Sequence, residues 1–79
     1  MKVKVLYFGV TADITGKENE FIADVKDLKA LTEILTSLYP GLRNANYRFA
    51  VNLKLIDDVN ILSLKEDDEV ALLPPFAGG

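Results

Sequence analysis

The sequence predicts an α+β domain in which one main helix lies across one face of a mixed sheet of four or five strands. Apolar residues alternate in several short segments, as in strands, and recur at helical spacing in one longer segment. A chain of 79 residues has room for a single core. Its hydrophobic fraction of 49% against 27% charged residues is typical of a folded globular protein.

The first predicted element is a strand over residues 2 to 8, in which Val3, Val5 and Tyr7 share one face. Gly9 ends it. Residues 10 to 17 are predicted to form a long loop, with Gly16 placed for a turn that needs a positive φ. Residues 18 to 23 form the second strand, which we expect to pair with the first as an antiparallel hairpin.

The main helix begins after Asp27, whose side chain is suited to the N-cap position. Pro40-Gly41 ends it, and an irregular stretch follows. The apolar residues at helical spacing are Leu28, Leu31, Ile34, Leu35 and Leu38.

Strands are predicted at residues 47 to 53 and 69 to 73, with one brief strand in the turn-rich segment 54 to 65. The residues expected to face the helix in the two longer strands are Phe49, Val51, Val70 and Leu72. With a right-handed crossover after the helix and the last strand central beside the first, this order gives a ubiquitin-like β-grasp roll over residues 1 to 73.

Composition excludes several kinds of chemistry. The chain has no Cys and no His, so it offers no disulfide, thiol nucleophile, Cys/His metal cluster or His general base. The acidic segments 57 to 58 and 66 to 69 are interpreted as solvated turns, and no metal site is predicted. The net charge of −3 argues against a nucleic-acid partner and favours a partner with a basic groove. No segment has membrane-spanning length, and we expect a cytoplasmic protein without a membrane partner.

The chemical feature of the sequence is the tail, residues 74 to 79. Pro74-Pro75 cannot continue the strand, because each proline lacks an N–H, and they direct the chain outward in an extended form. Phe76-Ala77 continue the tail, and Gly78-Gly79 end it without side chains. Such a tail can enter a narrow channel. The alternative is a frayed terminus without a function. A functional tail is favoured because two prolines follow a central strand on a domain that has no other reactive group.

A protein-binding face is predicted beside the tail. If alternate residues of the first and last strands face the helix, their neighbours form an apolar patch on the opposite side of the sheet. The patch residues are Leu6, Phe8, Ala71 and Leu73, with Leu55 as a candidate addition. Scattered surface hydrophobes are the alternative interpretation.

Residues 68 to 79, DEVALLPPFAGG, resemble the C-terminal signature of the small, sulfur-carrying subunits of molybdopterin synthase. The segments 4 to 9, 13 to 16 and 50 to 52 are similar to that family at matching spacings, so the resemblance covers nearly the whole chain. The chain departs from the family at Ala12, where arginine is frequent, and at Phe76-Ala77. Asp67 stands where glycine is usual, which predicts a strained backbone there.

The resemblance implies a mechanism. In the family, a ubiquitin-activating-type adenylyltransferase uses ATP to adenylate the terminal carboxylate, here that of Gly79, and sulfur transfer makes it a thiocarboxylate. The tail then enters the large synthase subunit and donates sulfur to cyclic pyranopterin monophosphate, forming the molybdopterin dithiolene. The chain alone is expected to be a non-catalytic carrier without a bound cofactor. Two carriers would sit at the ends of a dimer of large subunits, as a heterotetramer.

Three other functions remain open. The sulfur carrier for thiamine thiazole synthesis shares the fold and the terminal glycines, although it generally lacks a double proline like Pro74-Pro75. A ubiquitin-like modifier would join Gly79 to a lysine of another protein. A plain interaction domain would carry an inert tail.

Overall fold

The structure is a computed structural model, and it describes residues 2 to 57 and 63 to 75. The described part contains five strands, two α-helices and one 3₁₀ helix. In chain order they are β1 (Lys2–Tyr7), α1 (Val10–Thr15), β2 (Asn19–Ala23), α2 (Leu28–Leu38), the 3₁₀ helix (Pro40–Asn44), β3 (Arg48–Val51), β4 (Lys54–Ile56) and β5 (Glu69–Leu73).

The five strands form one mixed sheet in the order β2-β1-β5-β3-β4. β5 is central and pairs parallel with β1, where Val5 lies opposite Val70. On its other side β5 pairs antiparallel with β3, where Phe49 lies opposite Leu72. β1 and β2 form the predicted antiparallel hairpin. The predicted fold and the central position of the last strand are therefore confirmed.

The core lies between α2 and one face of the sheet. The strand residues that were predicted to face inward are buried or pack against the core, and α2 covers them with its apolar stripe. The fully buried apolar residues of the core are Val3, Val5, Val25, Leu28, Leu31, Leu35, Leu42, Val70 and Leu72. Burying each of these side chains contributes about 1.5 to 3 kcal/mol. Leu38 departs from the predicted stripe, because α2 ends there and leaves the side chain 55% exposed.

The residues that were predicted to begin and end α2 do so. Asp27 has an extended backbone, and its side chain accepts a hydrogen bond of 2.7 Å from the N–H of Ala30. The helix ends at Leu38, just before Pro40. The stretch predicted to be irregular begins instead as a 3₁₀ helix with Pro40 at its first position. Proline is suited to that position because the first N–H groups of a helix have no partner within the helix.

The prediction of a loop over residues 10 to 17 was wrong, because α1 occupies residues 10 to 15. Six residues are fewer than two helical turns, so α1 shows no apolar periodicity that could identify it. Gly16 ends α1 with φ 72°, and its N–H donates to the carbonyl of Ala12 at 2.8 Å. The positive φ predicted at Gly16 is confirmed.

The third predicted strand is shorter than expected. β3 ends at Val51 because Asn52 and Leu53 have φ values of 50° and 72° and form a two-residue turn into β4. β4 is the brief strand predicted within residues 54 to 65, of which 58 to 62 lie outside the described residues. Asp67 has a φ of 67°, as its substitution for glycine predicted.

Candidate functional site

The described part of the predicted tail is its root. β5 ends at Leu73, and Pro74 and Pro75 follow as exposed residues outside the strand. The remaining predicted site residues, Phe76, Ala77, Gly78 and Gly79, lie outside the described residues. The described geometry of the site is therefore that of the tail root, Leu73 to Pro75, and of the residues around it.

Gly9 supports the first residue of the tail. Its backbone has φ 58° and ψ −132°, and a Cβ placed on it would stand 3.4 Å from Cγ of Pro74. The turn between β1 and α1 thus lies directly against the Pro74 ring. From the sequence, Gly9 was predicted only to end a strand, and nothing local links it to a residue at the other end of the chain.

Thr11 connects the same turn to the end of β5. It is fully buried, and its Oγ1 accepts a hydrogen bond of 3.0 Å from the N–H of Phe8. The single hydroxyl proton is shared between the carbonyls of Phe8, at 2.7 Å, and Leu72, at 3.3 Å. The Phe8 N–H also lies 3.2 Å from the Leu72 carbonyl. Thr11 was not among the predicted site residues, although it holds the strand end from which the tail departs.

The predicted apolar patch is present on the sheet face opposite α2. The structure brings Leu6, Phe8, Leu55, Ala71 and Leu73 together around a concavity of about 310 Å³. The same concavity is also lined by Ala50, Leu53 and Glu69. We call these eight residues the open-face groove. Phe8 and Leu55 are 44% and 42% exposed, so the groove offers apolar surface that this chain does not itself bury.

An exposed ion pair lies beside the tail root. Arg48 lies opposite Leu73 in the β3/β5 pairing, and its Nη2 atom forms a 2.9 Å ion pair with Oδ1 of Asp57. The Asp57 side chain is 93% exposed, so this ion pair contributes little stability in water. Its charges instead remain available to orient a polar partner.

A second cluster of polar side chains lies on the helix side of the sheet. One carboxylate oxygen of Glu20, Oε2, accepts 2.6 Å hydrogen bonds from the hydroxyls of both Tyr7 and Tyr39, while Lys17 reaches Oε1 at 3.2 Å. Burial, with the Glu20 hydrogen bond, raises the pKa of Tyr7. Burial alone would raise the pKa of Glu20, but its three hydrogen-bond donors lower it by more. This cluster joins β1, β2 and the end of α2.

Among residues 2 to 57 and 63 to 75, no group of three or more His, Cys, Asp or Glu side chains is arranged to hold a metal ion. The acidic turn before β5 has a structural role, since Asp68 accepts hydrogen bonds from the N–H of Lys65 and from Asn52 Nδ2.

Within the described residues, no helix is both long and apolar enough to cross a membrane.

The element order, the central β5 and the single main helix define the ubiquitin-like β-grasp class. In this class the last strand lies in the middle of the sheet, so the segment after it leaves the domain from there.

The comparisons with known proteins identify a family within this class. The model of the ThiS family matches residues 5 to 79. The chain is 35% identical to the human molybdopterin synthase sulfur carrier subunit, over 99% of this chain and 94% of that one. It is 36% identical to the protein of the same name from Mycobacterium tuberculosis, over 100% and 99% of the two chains. The chain belongs to the ThiS family.

A solved structure agrees with this assignment. A chain in the complex of subunits 1 and 2 of the molybdopterin-converting factor from Helicobacter pylori matches with a TM-score of 0.72 and 39% identity, over the full length of both chains. The family resemblance inferred from the sequence is thereby confirmed.

Proposed function

We propose that this chain is the sulfur-carrier subunit of a molybdopterin synthase. The observation that carries the proposal is the match to carrier subunits of that name over nearly the full length of both chains. The tail root supports it independently, because the sheet centre, Gly9 and Thr11 together hold a strand end that leads outward through two prolines.

The reactive group in this proposal is the carboxylate of Gly79. An adenylyltransferase of the ubiquitin-activating type uses ATP to convert it to an acyl adenylate with release of pyrophosphate, and a donor of sulfide-level sulfur then displaces AMP to leave a thiocarboxylate. The large subunit would receive the tail and supply the acid and base groups, which agrees with a chain that has no His or Cys. Two such sulfur transfers to cyclic pyranopterin monophosphate give the dithiolene of molybdopterin.

The chain's own contribution is presentation. Glycine at positions 78 and 79 leaves the carbonyl open to attack from either side and lets partner backbone approach closely. The open-face groove beside the tail root is the surface we assign to the large subunit, because covering it would bury apolar side chains beside the point where the tail begins. A heterotetramer and a cytoplasmic location belong to the same proposal.

Intact-mass measurement tests the proposal. The purified chain is incubated with the activating enzyme, ATP and a sulfur source, and we expect the mass change of one oxygen-to-sulfur exchange, located at Gly79. Conjugates on lysines would instead identify a protein modifier, and an unchanged mass would contradict carrier function.

A second assay separates the two sulfur pathways. The charged chain is mixed with a large synthase subunit and cyclic pyranopterin monophosphate, and molybdopterin is measured. A charged chain that forms no molybdopterin but supports thiazole synthesis would assign it to thiamine biosynthesis.

A further inference from the structure

Leu53 stands in an unfavourable position at the tip of the β3/β4 hairpin. Its side chain is 95% exposed, and its backbone has a φ of 72°. The left-handed region suits glycine and asparagine, whereas the Cβ of a leucine crowds the following carbonyl oxygen there. In the isolated chain, a leucine at this position is neither buried nor in a backbone conformation that leucine prefers.

The surrounding structure holds the turn in this conformation. The N–H of Asn52 donates to the carbonyl of Glu69 at 2.8 Å, and the N–H of Glu69 donates to Oδ1 of Asn52 at 3.0 Å. Asn52 Nδ2 also donates to Oδ1 of Asp68 at 2.9 Å. Three hydrogen bonds thus tie the residue before Leu53 to the start of β5. A strained backbone that its neighbours fix in this way is typical of binding sites, where the side chain is already placed before the partner arrives.

Leu53 also lines the open-face groove, at the end remote from the tail. In the antiparallel β3/β5 pairing, Arg48 lies opposite Leu73 and Val51 lies opposite Val70, so the hairpin tip lies toward the start of β5. The four residue steps from Leu73 back to Glu69 span about 13 Å along the strand. The groove therefore runs from the tail root, at Leu73, to the hairpin tip, at Leu53.

We propose that Leu53 is a preformed apolar anchor that the large synthase subunit covers, so that the docking surface extends from the tail root to the hairpin tip. This inference rests on the proposed function. The partner surface that fits it is an apolar pocket for the Leu53 side chain. Glu69 is the charged residue of the groove lining and lies at the same end, so the rim of that pocket carries hydrogen-bond donors or a basic group.

Two substitutions of opposite character test the proposal. Leu53→Asn removes the apolar side chain but suits the left-handed turn, so we expect a higher midpoint of urea denaturation and a Kd for the large subunit raised about ten- to hundredfold, which corresponds to the burial of one leucine. Leu53→Met keeps an apolar side chain in the same turn, and its Kd should stay within about threefold of that of the unaltered chain. A merely structural role for Leu53 would move stability and binding in the same direction.

Asp67→Gly is the matched control. Asp67 has a similar φ of 67° but does not line the groove. We expect this variant to gain stability without a change in Kd. An equal loss of binding in Asp67→Gly and Leu53→Asn would mean that strain relief weakens the complex, and it would overturn the proposal.

The outcomes also separate this inference from the proposed function. If the unaltered chain binds the large subunit and Leu53→Asn binds equally tightly, the anchor is refuted and the carrier function stands. If the unaltered chain does not bind the large subunit, the proposed function fails and the anchor fails with it. Should Leu53→Asn not fold, Leu53→Gly gives the same test, because glycine also suits the turn and lacks the apolar side chain.

Discussion

The Pro74 ring lies against the backbone of Gly9, so that a Cβ on Gly9 would stand 3.4 Å from Cγ of Pro74. The two residues belong to opposite ends of the chain and meet because β1 and β5 are parallel neighbours. The direction in which the tail leaves the domain is thus set by the turn after β1 as well as by the stiffness of the two prolines.

Gly9→Ala should lower the free energy of unfolding by about 1 to 3 kcal/mol, because φ 58° with ψ −132° is a backbone region that suits glycine alone. We also expect slower molybdopterin formation, since the added methyl group lies against Pro74. Urea denaturation and the synthase assay measure the two effects.

Gly16→Ala is the control for this prediction, because Gly16 also has a positive φ but a Cβ there would meet nothing within 4 Å. It should lose stability and keep its activity. Equal activity of the two variants would contradict a role for the Gly9–Pro74 contact in aiming the tail.

Thr11→Val should cost about 1 to 3 kcal/mol of stability, because it removes a buried hydroxyl and leaves the Phe8 carbonyl without that donor. Thr11→Ser keeps the hydroxyl and should recover most of the loss. Both are measured by chemical denaturation. A valine variant more stable than the serine variant would show that the methyl group, and not the hydrogen bonds to Phe8 and Leu72, is what matters.

The Glu20 cluster predicts a loss of stability in acid. The pKa of Glu20 is lowered in the folded chain, so its contribution is complete above the unfolded value of about 4.3 and is lost as the pH falls below it. Glu20→Gln should lower stability at pH 7 and flatten this acid dependence, measured as unfolding free energy against pH.

Glu33→Gln serves as its control, since Glu33 is an exposed residue of α2. It should leave the acid limb of the stability curve unchanged. An equally steep limb in Glu20→Gln and the unaltered chain would mean that other carboxylates dominate acid unfolding.

Asp67→Gly should raise the free energy of unfolding by about 0.5 to 1 kcal/mol, because glycine adopts the φ of 67° without strain. The Asp67 N–H donates to the Lys2 carbonyl at 2.9 Å, and glycine keeps that bond. Thermal or urea denaturation measures the gain. A loss of stability would mean that the Asp67 side chain makes a stabilising interaction of its own.

Gly78→Val should abolish thiocarboxylate formation and synthase activity while leaving the denaturation midpoint unchanged. The side chain would widen a tail whose end carries no Cβ. Intact mass and molybdopterin formation are the readouts. Normal charging and activity in this variant would contradict the narrow-channel interpretation of the tail.

Much of the fold could be predicted because local patterns report burial. Alternation placed Val3, Val5, Val70 and Leu72 on the core side, and helical spacing identified α2 between its Asp27 cap and Pro40. The opposite parity of the same strands also predicted four members of the open-face groove, Leu6, Phe8, Ala71 and Leu73. The short helix α1 was missed because fewer than two turns leave no periodic signal.

By itself, the sequence determined the kind of fold, the composition of the tail and the absence of any Cys or His chemistry. Only the tertiary structure decided how the tail root is held and how far the groove extends. Thr11 and Leu72 are 61 residues apart, and Gly9 meets Pro74 only across the β1/β5 pairing. Leu53 joins the groove through a turn in which its own backbone takes a φ of 72°, a value that leucine rarely adopts. Periodicity describes which face a residue takes, whereas contacts between distant segments follow from strand order and register.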